Sequence, residues 1–218
     1  MARSLPVYLL LDISGSMAGA PIQAVDQGLG DFVDSIAGEP QALETMRVGL
    51  ITFDSTATQL VPMCDAIDFN VPPLKAGGRT ALGAALKLVK ERAEVEVQKN
   101  TPQTKGDWRP LVFIMTDGVP TDENWLDGLK EFKKFPWGKV VACAAGPNAD
   151  ISVLQQITST IVQLDVANPS TIRSFFQWVS QSAVQTSARL SSSNNAGYDL
   201  ADEFDDLPAP PPGINFYR

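Results

Sequence analysis

The sequence predicts a doubly wound α/β fold: a mostly parallel six-stranded sheet with one antiparallel edge strand and helices on both faces. Three observations carry this. Short apolar runs alternate with segments whose apolar residues recur every three or four positions. The runs are continuous rather than alternating, as in strands buried on both faces. One link between two runs is too short for a parallel crossover.

The elements follow in order. Residues 5–11 form the first strand, ended by Asp12. Across 21–36, Ile22, Val25, Leu29, Phe32, Val33 and Ile36 draw one apolar stripe along a helix. Pro21 suits its first turn, and Gly38 with Pro40 suits its stop. Residues 47–53 form the second strand, and Asp54 with Ser55 turns the chain into a third at 59–63, an antiparallel hairpin. Gly77 and Gly78 break the chain before a helix over 81–97. Residues 98–108 are polar and read as a surface loop. A strand at 111–115 runs into Thr116, Asp117 and Gly118. The stretch 123–132 reads as a helix with Trp125, Leu126, Leu129 and Phe132 on one side. A strand (139–145), a short helix (151–157) and a last strand (161–166) follow. A closing helix over 170–184 carries Ile172, Phe175, Phe176 and Val179. There is no internal repeat.

This pattern assigns residues 1–187 to one domain and 188–218 to a tail. From Leu190 onward the tail holds a Ser/Asn run, five acids (Asp199, Asp202, Glu203, Asp205, Asp206), four prolines and one base, Arg218. Such composition predicts a loosely ordered segment, extended around residues 210–212.

Composition narrows the function. The chain has 218 residues, 17 Lys+Arg against 25 Asp+Glu and a formal charge of −8. The acidic balance argues against nucleic-acid binding. Histidine is absent, which removes Ser-His-Asp and Cys-His catalysis and His-ligated zinc. Cys64 and Cys143 are too few for a disulfide scaffold and read as core residues of a reducing compartment. No apolar stretch is long enough to span a bilayer. The 5–11 run is cut by Asp12 and lacks a cleavage site, so it reads as a strand rather than a leader, with the cytoplasm as the expected location.

In a doubly wound sheet, ligands bind at the carboxyl ends of strands, where strand order reverses. Three segments belong there: Asp12 to Ser16, Gly77 to Thr80, and Thr116 to Gly118. Their candidates Asp12, Ser14, Ser16, Thr80 and Asp117 offer oxygen alone. Mixed carboxylate and hydroxyl donors suit a hard divalent cation such as Mg²⁺, or Mn²⁺, with a position left for an outside ligand. Each residue also has a plain structural role: Ser14, Ser16 and Thr80 as helix caps, Asp117 with Gly118 as a turn. Their joint occurrence favours the metal. Asp54 reads as a hairpin-turn residue, Asp122 with Thr121 as a cap of the next helix, and Lys130, Lys133, Lys134 and Lys139 as a solvated helix end.

With these residues the sequence resembles the von Willebrand factor A (VWA) domain, whose metal-ion-dependent adhesion site has the pattern D-x-S-x-S, then T, then D. Asp12, Ser14, Ser16, Thr80 and Asp117 match it in order. The resemblance covers about residues 5–187. It implies that serines and threonine ligate the metal, that the aspartates bind it directly or through water, and that a partner's Asp or Glu completes the shell. The runs 77–86 and 116–122 and the Pro-rich end are similar to the bacterial TerY-like group associated with tellurium resistance and stress response. Related systems pair such proteins with a Ser/Thr kinase and a PP2C-type phosphatase. The expected function is therefore a cytoplasmic, metal-dependent protein-interaction adaptor with no catalytic residue, no membrane partner and no nucleic acid. One alternative is an aspartate-based phosphohydrolase, against which Ser14 stands where a second acid belongs. Another is a substrate of the kinase. The tail acids Asp202, Glu203, Asp205 and Asp206 are candidate internal competitors for the metal.

Overall fold

The computed structural model describes residues 3–117, 119–146, 149–164, 169–192, 207–209, 211 and 215–217. Strand β1 (Leu5–Asp12) leads through a 3-10 turn at Gly15–Met17 into α1 (Ala20–Ala37) and the short α2 (Pro40–Thr45). Strands β2 (Met46–Phe53) and β3 (Ala57–Asp65) precede α3 (Leu82–Glu96), β4 (Leu111–Thr116) and α4 (Trp125–Phe132). Then come β5 (Lys139–Ala145), α5 (Ile151–Ile157), β6 (Ile161–Leu164), α6 (Pro169–Ser192) and β7 (Asn215–Tyr217).

The sheet runs in the order β3-β2-β1-β4-β5-β6-β7. Strands β2, β1, β4, β5 and β6 are mutually parallel, and β3 is antiparallel to β2 at the edge, as predicted. The chain winds one way from β1 to β2 and the other way from β4 onward. The crevice between β1 and β4 is therefore the point where strand order reverses. Leu11 pairs with Met115 there, which sets Asp12 and Thr116 side by side at the carboxyl ends.

Every residue of β1 is buried, because the strand feeds two cores. Leu5, Val7, Leu9 and Leu11 face one layer with α1 and α6, through Val25, Leu29, Phe32, Phe175, Phe176 and Val179. Tyr8 and Leu10 face the other with α3, α4 and α5, through Leu82, Leu86, Leu129, Phe132, Leu154 and Ile157. Full burial of each large side chain stabilises by about 1.5–3 kcal/mol before entropy is counted.

Several expectations change. Pro40 starts helix α2 instead of only ending α1, because a proline costs nothing at the first helical position. Leu126 is 56% exposed, so the buried face of α4 is Gly128, Leu129 and Phe132. Trp125 is half-buried. Within the 98–108 loop Trp108 is buried under the Arg3 guanidinium, 3.6 Å from its ring centre. Helix α6 continues to Ser192, past the predicted stop at 184 and the 187/188 boundary. Its buried hydroxyls are satisfied, some within the helix and one outside it: Ser182 Oγ donates to Trp178 O (2.7 Å), Thr186 Oγ1 donates to Ser182 O (2.8 Å), and Ser187 Oγ pairs with Thr45 Oγ1 of α2. Leu190 is then free to join the core. A seventh strand also appears, β7, antiparallel to β6. Nearby, Trp178 Nε1 donates to Pro208 O at 2.8 Å, and Leu207 packs on the core. The tail acids Asp202, Glu203, Asp205 and Asp206 lie outside the described residues. Among the described residues, no helix is long and apolar enough to cross a membrane.

Candidate metal centre

The five predicted site residues all lie at the carboxyl edge of the sheet, on three segments. Asp12 ends β1, and Ser14 and Ser16 lie in and beside the turn that follows. Asp117 follows β4 directly, and Thr80 precedes α3. The structure joins four of them in one hydrogen-bonded chain. Ser16 Oγ donates to Asp117 Oδ1 at 2.8 Å. Ser16 then has no proton left for Ser14, so Ser14 Oγ is the donor in their 3.0 Å contact. The Ser14 backbone N–H donates to Asp12 Oδ1 at 2.8 Å.

The fifth residue is braced between the loops that carry the others. Gly15 N donates to Gly78 O (3.1 Å), and Gly77 N to Ile13 O (2.8 Å), locking the first loop to the Gly77–Thr80 stretch. On the other side, Thr121 N donates to Thr80 O (2.8 Å) and Thr80 N to Thr121 Oγ1 (3.0 Å). Gly78 has φ +77°, and a Cβ there would lie 2.7 Å from Ser55 Oγ, so the loop shape requires glycine.

The capping alternatives are not what the structure shows. The position that caps α3 is Ala81, and no side chain caps it from there. The Ala84 amide in its first turn is instead served by Asp122 Oδ2 at 3.0 Å, from the loop after β4. Asp122 thus caps the helix before it in sequence, not the next one. Ser14 makes no capping bond to its turn. Asp54 behaves as predicted, accepting from Thr56 N at 3.0 Å within its turn. Lys134 pairs with Glu131, so the basic helix end is partly neutralised.

The electrostatics ask for positive charge. Asp12 is 1% exposed. Burial pushes its carboxyl above the ordinary value, against hydrogen bonds from Ser14 and Thr116 that favour the charge, and Asp117 adds a smaller push the same way. Burial also raises Asp117, against its bond from Ser16. Two carboxylates are thus held in one desolvated cleft, a cost that a divalent cation offsets. Thr80 is only 5% exposed, and its hydroxyl has no hydrogen-bond partner among the described residues. Among those residues no three His, Cys, Asp or Glu side chains form a metal-ligating group. A cation here would therefore rely on hydroxyls beside the two carboxylates, a donor set that fits Mg²⁺ or Mn²⁺.

One residue of the site escaped the sequence. Thr116 Oγ1 donates to Asp12 Oδ2 at 2.5 Å. Both oxygens of Asp12 are thereby held and the carboxylate cannot rotate. The signal was only that Thr116 ends an otherwise apolar strand; its partner depends on the β1–β4 register.

Fold and site together define a doubly wound α/β domain with a hydroxyl-and-carboxylate cleft at its switch point. The sequence profile of the von Willebrand factor type A domain matches residues 7–178, and the chain belongs to this family. No curated protein matches the sequence significantly. Among solved structures, the chain is similar to a von Willebrand factor type A protein from Catenulispora acidiphila (TM-score 0.65, 14% identity, 84% of this chain and 43% of that one). It is similar also to the pilus adhesin SpaC from Lactobacillus rhamnosus GG (0.65, 16%, 84% and 31%). A third is the ArnB paralog VWA2 from Sulfolobus acidocaldarius (0.58, 15%, 79% and 45%). At these identities the likeness is one of fold. The chain spans less than half the length of each of these three proteins.

Proposed function

We propose that this chain is a metal-dependent protein-interaction module, in which Asp12, Ser14, Ser16, Thr80 and Asp117 hold Mg²⁺ or Mn²⁺ and a partner's Asp or Glu completes the coordination. The observation that carries the reading is the Ser14–Ser16–Asp117 chain beside a doubly held Asp12 and a Thr80 hydroxyl with no hydrogen-bond partner among the described residues. When bound, the cation supplies a directional positive charge for a carboxylate. The residues do the rest. Ser14, Ser16 and Thr80 are neutral, so they leave that charge only partly compensated. Asp12, fixed by Ser14 N and Thr116, keeps the inner oxygens in place. Because both Asp12 oxygens already accept hydrogen bonds, the carboxylate is better suited to holding a ligand than to attacking one. This supports the binding reading over the phosphohydrolase alternative.

The finer reading is a cytoplasmic adaptor of the TerY-like group, working in a bacterial stress-response system with a Ser/Thr kinase and a PP2C-type phosphatase. The matching runs 77–86 and 116–122 support it, and the two free cysteines, Cys64 and Cys143, suit a reducing compartment.

The test has two parts. Calorimetric titration with Mg²⁺ and Mn²⁺ should give one site, lost in Asp12→Asn with the fold retained by circular dichroism. Affinity capture from the source cells should then retain a partner in Mg²⁺ and release it in EDTA. A partner held equally in EDTA and by Asp12→Asn would refute the bridge.

A further inference from the structure

The face around the metal centre is acidic with one exception. Among the described residues, the stretches 12–19, 54–56, 77–81, 117, 119–124, 146 and 149–150 carry Asp12, Asp54, Asp117, Asp122, Glu123 and Asp150 and a single base, Arg79. Arg79 immediately precedes Thr80, and its backbone is fixed. Its N–H donates to Ser55 Oγ at 3.1 Å, after a glycine that cannot be replaced without a clash. Its side chain is exposed and has no ion-pair partner among the described residues. Three other arginines are engaged: Arg3 over Trp108, Arg47 beside Asp107, Arg173 on Asp31. The neighbouring Asp54 turns its carboxylate back onto Thr56 instead. Across the Thr80 backbone lies the 117–124 loop, tied to it by Thr121 N, where Val119 is 52% exposed.

We propose that Arg79 is a second anion-binding point, so that this face takes an acidic peptide segment with two carboxylates and an apolar residue. One carboxylate meets the cation, the second meets the Arg79 guanidinium, and the apolar side chain lies against Val119. The inference rests on the metal-bridged reading above and adds partner selectivity to it. A guanidinium without an ion-pair partner among the described residues can be recruited without breaking one first, and the cost left is the ordering of its own side chain. Its planar fork fits a carboxylate through two parallel hydrogen bonds. At an exposed position such a pair is worth about 1.4- to fivefold in affinity.

The test uses the full chain with saturating Mg²⁺ and labelled synthetic peptides, followed by fluorescence anisotropy at fixed ionic strength. One peptide has the sequence Leu-Gly-Asp followed by glycines. Three others place a Glu one, two or three residues after the Asp. At one or more spacings the second acid should tighten binding about 1.4- to fivefold. That gain should vanish in Arg79→Gln and return in part in Arg79→Lys, while the one-acid peptide binds both variants as it binds the unaltered chain. An equal gain in Arg79→Gln, or no gain at any spacing, would overturn the Arg79 inference alone. If the one-acid peptide fails to bind in Mg²⁺, the metal bridge itself falls and this inference with it. An Arg79-dependent preference for a phosphoserine peptide over every two-acid peptide would also overturn it, pointing to a phosphoryl ligand.

Discussion

Thr116 Oγ1 donates to Asp12 Oδ2 across the β4–β1 seam, 104 residues apart in sequence, and so fixes an acid placed at the heart of the candidate metal centre. The hydroxyl need not touch the cation to matter. Partners that orient a ligand typically contribute 10–100-fold to metal affinity. Thr116→Val keeps the shape and the strand and removes the donor. The expected outcome is Mg²⁺ affinity reduced about 10–100-fold, with a stability loss of only about 1–2 kcal/mol. Calorimetry and urea unfolding measure the two separately. An unchanged affinity would mean that Asp12 is positioned without Thr116.

Helices α3 and α4 cross where Gly83 and Gly128 touch backbone to backbone. A Cβ on Gly128 would sit 2.0 Å from the Gly83 carbonyl oxygen, and one on Gly83 2.3 Å from Trp125 Cα. These contacts are rigid main chain, so the helices must part to admit a methyl group. Gly128→Ala should cost about 1–3 kcal/mol or more, despite alanine's better helix propensity. The urea midpoint should fall with the slope unchanged. A midpoint equal to or above that of the parent would show that the crossing has slack.

At the amino end of the sheet, Tyr8 Oη donates to Glu96 Oε2 at 2.8 Å, while Gln59 Nε2 donates to Oε1 at 2.8 Å. Burial, and then Glu96, raise the Tyr8 phenol far above its ordinary value. Above about pH 10 the unfolded phenol loses its proton while the folded one keeps it. The folded state then binds more protons, so stability falls as pH rises. Tyr8→Phe should cost about 1–2 kcal/mol at neutral pH and reduce the alkaline loss. Urea midpoints for both chains at pH 7, 9 and 11 give the comparison. Parallel curves would place the alkaline loss elsewhere, on lysines for example.

The segment after α6 is tied back at Trp178, which is 1% exposed and donates to Pro208 O, and at β7, which covers the β6 edge. A chain ending at residue 206 loses both, removing the Pro208 carbonyl that accepts from the indole and opening the strand edge. Its melting temperature should fall by roughly 2–8 °C, with tryptophan emission moving to longer wavelength. An unchanged melting curve would mean that this segment contributes nothing to the domain.

Much of this molecule is legible in its sequence. The strands at 47–53, 111–115 and 139–145 appear as continuous apolar runs because each is buried on both faces, and the short 54–58 link could only close a hairpin. Asp12, Ser14, Ser16, Thr80 and Asp117 are legible through spacing and residue type. Leu126, the length of α6 and β7 were not. Leu126 fits the helical period as well as Leu129 does, and only the packing of α4 on α3, close at Gly83 and Gly128, decides which one is covered. The later turns of α6 are rich in hydroxyls, yet Ser182 and Thr186 bond their own helix and Ser187 bonds Thr45, so they can be buried. Nothing local marks 215–217 as a strand, since its partner is β6, more than fifty residues earlier.

By itself the sequence determined the α/β order, the switch-point placement of an oxygen-only donor set, and the exclusion of histidine chemistry. Those follow from periodicity and residue type, which are local. Tertiary structure alone decided that Thr116 holds Asp12, that Asp122 caps α3, and that among the described residues the Thr80 hydroxyl has no hydrogen-bond partner and Arg79 no ion-pair partner. Each depends on strand register and loop contact between distant segments, and hydrogen bonds form only when such contacts come within about 3 Å.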